Sequence, residues 1–368
     1  MRARHGWAAT CLALAFAGLG LDVARAASVG HPSAGVAGDD EPEELPTPVV
    51  VPTLLTPPAV AEVSGALPKD RPGVRFIAER WTIPATTLAA VRAVEAAPLG
   101  RRMEAASHDF LNLPYLNEAD GEADADDPDP PSRYDAFDCL TFVEEVLGLS
   151  LAGDPLYAPT IRDALRYRDA APRPEWTRKY QQRRHFMEAE WLPDGVADGL
   201  LEDITDRVGP ARTLGHDVTA AMWKGWAHAR IFHLPPELFP TGHWSLQYLD
   251  LATALTYAKN VPAGAIVLTV RSARAARPIA ISHVSLMVQD ESGKIHMRHA
   301  SRMGSQKVRD DDLVTYIHHV ASYGWACIGL SIYMPREQGP RVSALTAASL
   351  PPPFPPATGP VGSVVPLP

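Results

Sequence analysis

Tyr134-Asp135-Ala136-Phe137-Asp138-Cys139-Leu140-Thr141-Phe142-Val143-Glu144-Glu145 decides the reading of this chain. Cys139 follows an acidic residue and opens an apolar-periodic segment. Phe142, Val143, Val146 and Leu147 recur at the spacing of one buried helical stripe. A helix is therefore expected to begin at Cys139, with Asp138 as its cap. Glu144 and Glu145 fall near the helix start, where negative charge suits the dipole. The same dipole favours a thiolate, so Cys139 is a candidate nucleophile once a base is folded against it.

Two histidines downstream are candidates for that base and its orienting partner. His283 opens the run His-Val-Ser-Leu-Met-Val, and His299 lies in His-Met-Arg-His-Ala-Ser. Period-two and β-branched runs predict strands over Ala265–Val270, Ile279–Val288, Lys294–Ala300 and Ala326–Met334. Asp290-Glu-Ser-Gly293 is a turn that joins the second and third as a hairpin. On that hairpin the two imidazoles lie side by side, one as base and one as the polar group that fixes its orientation. With 13 histidines in the chain, either alone reads as a locally satisfied residue, and the pair on adjacent strands is what singles them out. The first half reads helical, over Thr86–Ala97 and Arg101–Phe110, and a short helix is expected within Asp310–Ser322. Helices followed by a mostly antiparallel sheet make an α+β fold.

The ends differ in composition. Arg2, Arg4 and His5, the apolar run Ala8 to Leu21, and Ala24-Arg25-Ala26 read as a secretory signal over residues 1–26. The apolar run is shorter than the roughly 20 residues that span a bilayer, although a short membrane anchor is the competing reading. An exported protein without stable membrane insertion is expected, periplasmic if the source has an outer membrane and otherwise secreted or wall-associated. Residues 27–72 read as a disordered Pro- and acid-rich spacer, 73–336 as one domain with an acidic loop insertion at 118–133, and 337–368 as a disordered Pro-rich tail. A net charge of -9 argues against nucleic acid as partner. Beyond the signal there are two cysteines, and Cys327, in a strand-like apolar stretch, reads as core, with a bridge to Cys139 as the alternative. His283 and His299 with His296 or Cys139 have the chemistry of zinc ligands, but their spacing fits no short metal motif. No metal or cofactor is expected.

Asp138-Cys139-Leu-Thr-Phe-Val-Glu144, Ser282-His283-Val284 and His299-Ala300-Ser301 together resemble the NlpC-type papain-like superfamily of bacterial cell-wall cysteine hydrolases. Within it they resemble the N-acetylmuramoyl-L-alanine amidase-like subfamily, and Phe110-Leu-Asn-Leu-Pro-Tyr115, Arg183-Arg184-His185-Phe186 and Leu313-Val-Thr-Tyr316 agree with that. The resemblance runs from about residue 80 to Arg336. It implies a papain-like fold with Cys139 as nucleophile, His283 as general base and then acid, His299 as orienting residue, and the Cys139 N–H in an oxyanion hole. Tyr115, Asp138, Arg184, His185 and Ser301 are implied substrate-binding residues. For the Arg184-His185 stretch and Trp191, helix surface and a core aromatic are the competing reading. The implied substrate is peptidoglycan or soluble muropeptides, cut between N-acetylmuramic acid and L-alanine through a thioester. A D-glutamyl–diamino acid endopeptidase, an acyltransferase, or a wall-binding protein without turnover are the alternatives. Gly264-Ala265, where the superfamily often has Gly-Asp, and the long acidic loop depart from the pattern.

Overall fold

The computed structural model describes residues 82–337, except 118, 120–131, 153–154, 171–177, 275–276, 323 and 325. The signal at 1–26, the spacer at 27–72, most of the acidic loop and all but the first residue of the tail lie outside the described residues.

The first half is helical: α1 (Ala85–Ala93), α2 (Leu99–Ser107), α3 (Cys139–Leu151) and α4 (Ala158–Arg166). A connecting region follows, with a π-helical turn at Met187–Trp191, then α5 (Leu192–Ala197), β1 (Leu201–Asp203), α6 (Thr205–Val208), β2 (Arg212–Val218), α7 (Ala220–Gly225), β3 (Gly242–Asp250) and α8 (Leu251–Tyr257). The second half runs β4 (Ile266–Arg271), β5 (Ile281–Gln289), β6 (Ile295–Ser301), β7 (Lys307–Asp311), α9 (Leu313–Val320) and β8 (Cys327–Pro335). The strands form one antiparallel sheet ordered β2-β3-β8-β4-β5-β6-β7, with β1 also paired to β8. The fold is α+β. Among the described residues no helix is long and apolar enough to cross a membrane.

Strand alternation splits the interior into two layers. Val284, Leu286 and Val288 of β5 join Met103 of α2 and Phe142, Val143, Val146 and Leu147 of α3. Met287 of β5, Met297 of β6 and Val267 of β4 instead meet Leu313, Ile317 and Val320 of α9. Each fully buried Leu, Val or Phe contributes about 1.5–3 kcal/mol, so the α3 stripe alone holds that helix firmly to the sheet.

The hairpin, its turn and the four predicted strands are where the sequence places them, to within two residues at each end. Gly264 opens β4 at φ +91, where a Cβ would sit 3.2 Å from Leu99, so the turn needs glycine whatever follows it. Cys327 is a free buried thiol, in keeping with the core reading. α3 is buried on every face from Thr141 to Leu151. Glu144 and Glu145 are therefore inside, where their partners are Arg166 (2.5 Å) and Arg162 (3.6 Å) of α4 and not only the helix dipole. The strands β1, β2, β3 and β7 were not expected.

Candidate active site

Asp138 is extended (φ -90, ψ -177) and caps α3, its carboxylate accepting from the N–H of Leu140 (3.0 Å) and Thr141 (2.8 Å). The Thr141 hydroxyl accepts in return from the Asp138 N–H at 3.0 Å, a reciprocal capping box. Cys139 is thus the first helical residue, and it is partly buried. The cap and the Ala119 N–H (3.3 Å) occupy the Asp138 carboxylate, so its role here is to fix the helix start.

Backbone lacing sets that start against the sheet. The Phe137 N–H donates to Pro114 O (3.2 Å) and the Leu116 N–H to Phe137 O (2.9 Å), while the Tyr115 N–H donates to Gln306 O (2.8 Å). The Val308 N–H donates to Leu113 O at 2.9 Å, so the Asn112–Leu116 stretch covers the outer edge of β7 and delivers Tyr115 beside Phe137-Asp138.

On the other side, β5 is irregular where it matters. Its ladder with β4 slips between Thr269↔His283 and Val270↔Ile281, leaving Ser282 as the extra residue of a bulge. The slip changes the face of Ile281, which joins Val284 in the α3 layer. The β5–β6 ladder holds only from Leu286↔Arg298 to Gln289↔Ile295, and the strands part beyond it. Backbone groups of even-numbered β5 residues face β6, since those of Met287 bond Gly264 and Ala265 on the opposite side. At this opening the Val284 N–H reaches the Cys139 thiol.

His283 and His299 bridge the same opening, Nε2 to Nδ1 at 2.7 Å, with rings 4.9 Å apart and nearly perpendicular. His299 Nε2 then meets Asp311 Oδ2 at 3.0 Å, and Arg309 Nη2 donates to that same oxygen at 2.9 Å. Tyr316 of α9 stands edge-on to His299 at 5.7 Å, its hydroxyl 2.5 Å from Thr269 Oγ1. The proton positions follow from the acceptor at the end of the chain. The Asp311 carboxylate can only accept, so His299 carries its proton on Nε2 and presents a lone pair at Nδ1. Arg309 Nε also approaches His299 Nε2, at 3.4 Å, but the nearer carboxylate keeps that nitrogen a donor. His283 therefore donates through Nε2, which leaves its Nδ1 as the basic atom.

The electrostatics fix a resting state. A hydrogen bond from His299 holds the Asp311 carboxyl below its usual range. Burial, together with the His299 imidazole and the Arg309 and Arg271 guanidiniums, holds His283 well below the ordinary imidazole value. Burial and the Asp138 carboxylate push the Cys139 thiol up to about 12, against the pull of the Val284, Cys139 and Leu140 N–H groups. Desolvation thus opposes the pull of the helix start on the Cys139 thiol, and burial likewise opposes charge on His283. A neutral thiol and a neutral imidazole are suited to nucleophilic attack in which the proton leaves as the bond forms.

The remaining predicted residues lie elsewhere. Arg184 is buried, and donates to Asp194 (3.0 Å), Asp198 (2.6 Å) and the carbonyls of Ala164 (2.6 Å) and Leu165 (3.1 Å). It ties the end of α4 to α5 rather than facing a cleft. His185 Nε2 is 2.9 Å from Tyr180 O, and its ring packs 4.6 Å from that of Tyr180. Ser301 Oγ accepts from the Met303 N–H at 3.2 Å and closes the turn after β6. Trp191 is a core aromatic whose Nε1 donates to Glu144 at 3.0 Å. Asp311 and Arg309 were missed, and so was any role for Tyr316. Arg309 and Asp311 alternate on one face of β7, with Arg309 in register opposite His299, a placement that only the strand pairing reveals. Among the described residues no group of three or more His, Cys, Asp and Glu is arranged to hold a metal ion.

A family model described as N-acetylmuramoyl-L-alanine amidase-like (AmiA-like) matches residues 105–324, a span that contains Cys139, His283, His299 and Asp311. The chain belongs to this family. Solved structures share the fold of this AmiA-like chain. A Legionella pneumophila protein is 20% identical over 68% of this chain and 93% of its own, with a TM-score of 0.58. An N-acetylmuramoyl-L-alanine amidase from Bacteroides uniformis is 20% identical over 65% of this chain and 99% of its own, with a TM-score of 0.52. No curated protein matches the AmiA-like chain.

Proposed function

We propose that this AmiA-like protein is an exported, cysteine-dependent amidase of NlpC-type papain-like architecture. Its substrate is peptidoglycan or a soluble muropeptide, and the bond cut joins the lactyl carbonyl of N-acetylmuramic acid to L-alanine. The observation that carries this is the unbroken chain from His283 Nε2 through His299 to Asp311, beside a thiol on the first residue of a helix. Family membership supplies the bond, and the leader-like residues 1–26 supply export.

A neutral thiol and a neutral imidazole shape the mechanism. As Cys139 Sγ attacks the lactyl carbonyl, His283 Nδ1 takes the thiol proton. The imidazolium then formed is stabilised through His299 by the Asp311 carboxylate, which stays ionised. The N–H of Cys139, at the start of α3, faces the oxyanion. His283 returns the proton to the departing amine of L-alanine, and water, deprotonated by the same imidazole, cleaves the muramoyl thioester. Amide and water become a carboxylate and an amine, and the thiol is restored.

Mass spectrometry of defined muropeptides after incubation with the mature protein tests this, with Cys139→Ala as control. Free stem peptide beginning at L-alanine is expected from wild type alone. Loss of only the distal part of the stem would make the protein a D-glutamyl–diamino acid endopeptidase. Intact substrates throughout, with measurable binding, would make it a wall-binding protein.

A further inference from the structure

The connecting region holds a buried carboxylate that the reaction does not use. Glu188 lies in the π-helical turn Met187–Trp191 and is 5% exposed. Its Oε1 accepts from the backbone N–H of Ala280, and from that of Ile281 at 3.4 Å. These two residues come directly before the bulged Ser282, and His283 comes directly after it. The opposite side of the same segment is held by Arg271, whose N–H donates to Ala280 O (2.7 Å) and whose Nε donates to Ser282 Oγ (2.8 Å). The entry of β5 is thus gripped from two directions at the point where the bulge sets the direction of the His283 side chain.

The same turn reaches the other partner. Three residues on from Glu188, Trp191 Nε1 donates to Glu144 of α3 at 3.0 Å, and Glu144 is five residues from Cys139. One turn therefore touches both the helix that carries the thiol and the strand that carries the imidazole. π-Turns are rare and are found often at functional sites. A carboxylate is also a costly way to fill a core. Burial pushes Glu188 up to about 7 despite the N–H groups of Ala280 and Ile281.

We propose that Glu188 is a positioning residue for His283: by binding the N–H groups of Ala280 and Ile281 it fixes the β5 bulge, and with it the imidazole's approach to Cys139. This rests on the reading of His283 as the base. Loss of the carboxylate leaves two buried donors unpaired and the bulge free to slip, and a misplacement on the order of 1 Å can cost about 10²-fold in rate.

The test compares Glu188→Ala, Glu188→Gln and Val208→Ala in the mature protein, the last removing buried side-chain volume from α6 in the other core layer. Three quantities are read: Tm, kcat and KM on a muropeptide, and the imidazole ¹⁵N signals of His283. For Glu188→Ala a fall in kcat of about tenfold to 10²-fold is expected, with KM within about twofold and displaced His283 signals. Glu188→Gln, which keeps an acceptor, restores most of kcat and the wild-type signals. Val208→Ala lowers Tm alone. A Glu188→Ala protein that loses Tm but keeps wild-type kcat and wild-type His283 signals would overturn the proposal. So would a Val208→Ala protein that moves those signals equally. If wild type cleaves no muropeptide, the amidase reading fails, and the His283 signals still decide the role of Glu188.

Discussion

Two buried polar clusters share helix α3, and they differ in what their atoms are left to do. Behind the helix, Glu144 pairs with Arg166, Glu145 with Arg162, and Asp163 with both Arg162 (2.7 Å) and Arg178 (2.9 Å). Three carboxylates face three guanidiniums, and the charge is balanced internally. At the front, the hydrogen bonds run in one direction, from His283 to His299 to Asp311, and leave His283 Nδ1 without a proton on the strand whose Val284 N–H reaches the Cys139 thiol. The rear cluster sets charge against charge and holds α3 to α4, although Glu145 Oε2 and Arg162 Nε are buried without a hydrogen-bond partner. The front one is directional, and only it can move a proton. Residue type and burial do not separate the two, but the bookkeeping of donors and acceptors does.

The largest effect is expected from the front. Cys139→Ala should lower kcat about 10⁴-fold or more, with Tm close to wild type, since this residue caps nothing and its removal deletes the proposed nucleophile. Asp311→Asn comes next. The amide can donate to His299, which reverses the tautomer along the chain, and a loss of about 10²-fold or more in kcat is expected with KM little changed. Retention of wild-type kcat by Asp311→Asn would reduce the chain to a structural contact.

The rear cluster should break differently. Arg166→Ala leaves the Glu144 carboxylate buried and short of its partner, and should cost about 3–5 kcal/mol in denaturant unfolding. The surviving folded protein should keep its kcat. An Arg166→Ala protein with normal stability and lost activity would contradict the division of labour.

Smaller effects come from pH. Neutral His283 is the working form and its value is held well below 6.5, so activity should persist as pH falls through 6.5 and decline only below it. A pH–rate profile whose acid limb sits at or above 6.5 would count against the assignment. Glu145 and Glu188 are raised from 4.5 to about 7, so between those values the folded protein binds more protons than the unfolded chain. Their contribution to stability is full below about 4.5 and is lost as pH rises through about 7. Glu188→Gln should flatten that decline in a series of Tm values across the interval, and an unchanged slope would mean the carboxyl titrates normally.

What could be read from the sequence was local. Asp138 before Cys139, the apolar stripe after it, and the turn Asp290–Gly293 each specify their own structure within a few residues, and the hairpin then brings His283 beside His299. Asp311 was hidden because Lys307–Asp311 is charged and alternates no apolar residue with its polar ones except Val308, so nothing in it reads as a strand. Arg184 misled for the opposite reason. A charged side chain near a motif reads as solvent- or substrate-facing, yet here its partners lie elsewhere along the chain and turn it inward. The desolvation that raises the Cys139 thiol was also out of reach, because the helix dipole is visible in sequence and burial of the thiol is not.

The central claim is a muramoyl thioester on Cys139. The direct measurement is intact-protein mass spectrometry of acid-quenched single turnovers, with enzyme in excess over an N-acetylmuramoyl peptide. The account predicts an adduct of the muramoyl acyl group, mapped to the peptide containing Cys139, with the stem peptide released from L-alanine onward and neither product from Cys139→Ala. Release of the stem peptide by Cys139→Ala at the wild-type rate would contradict it.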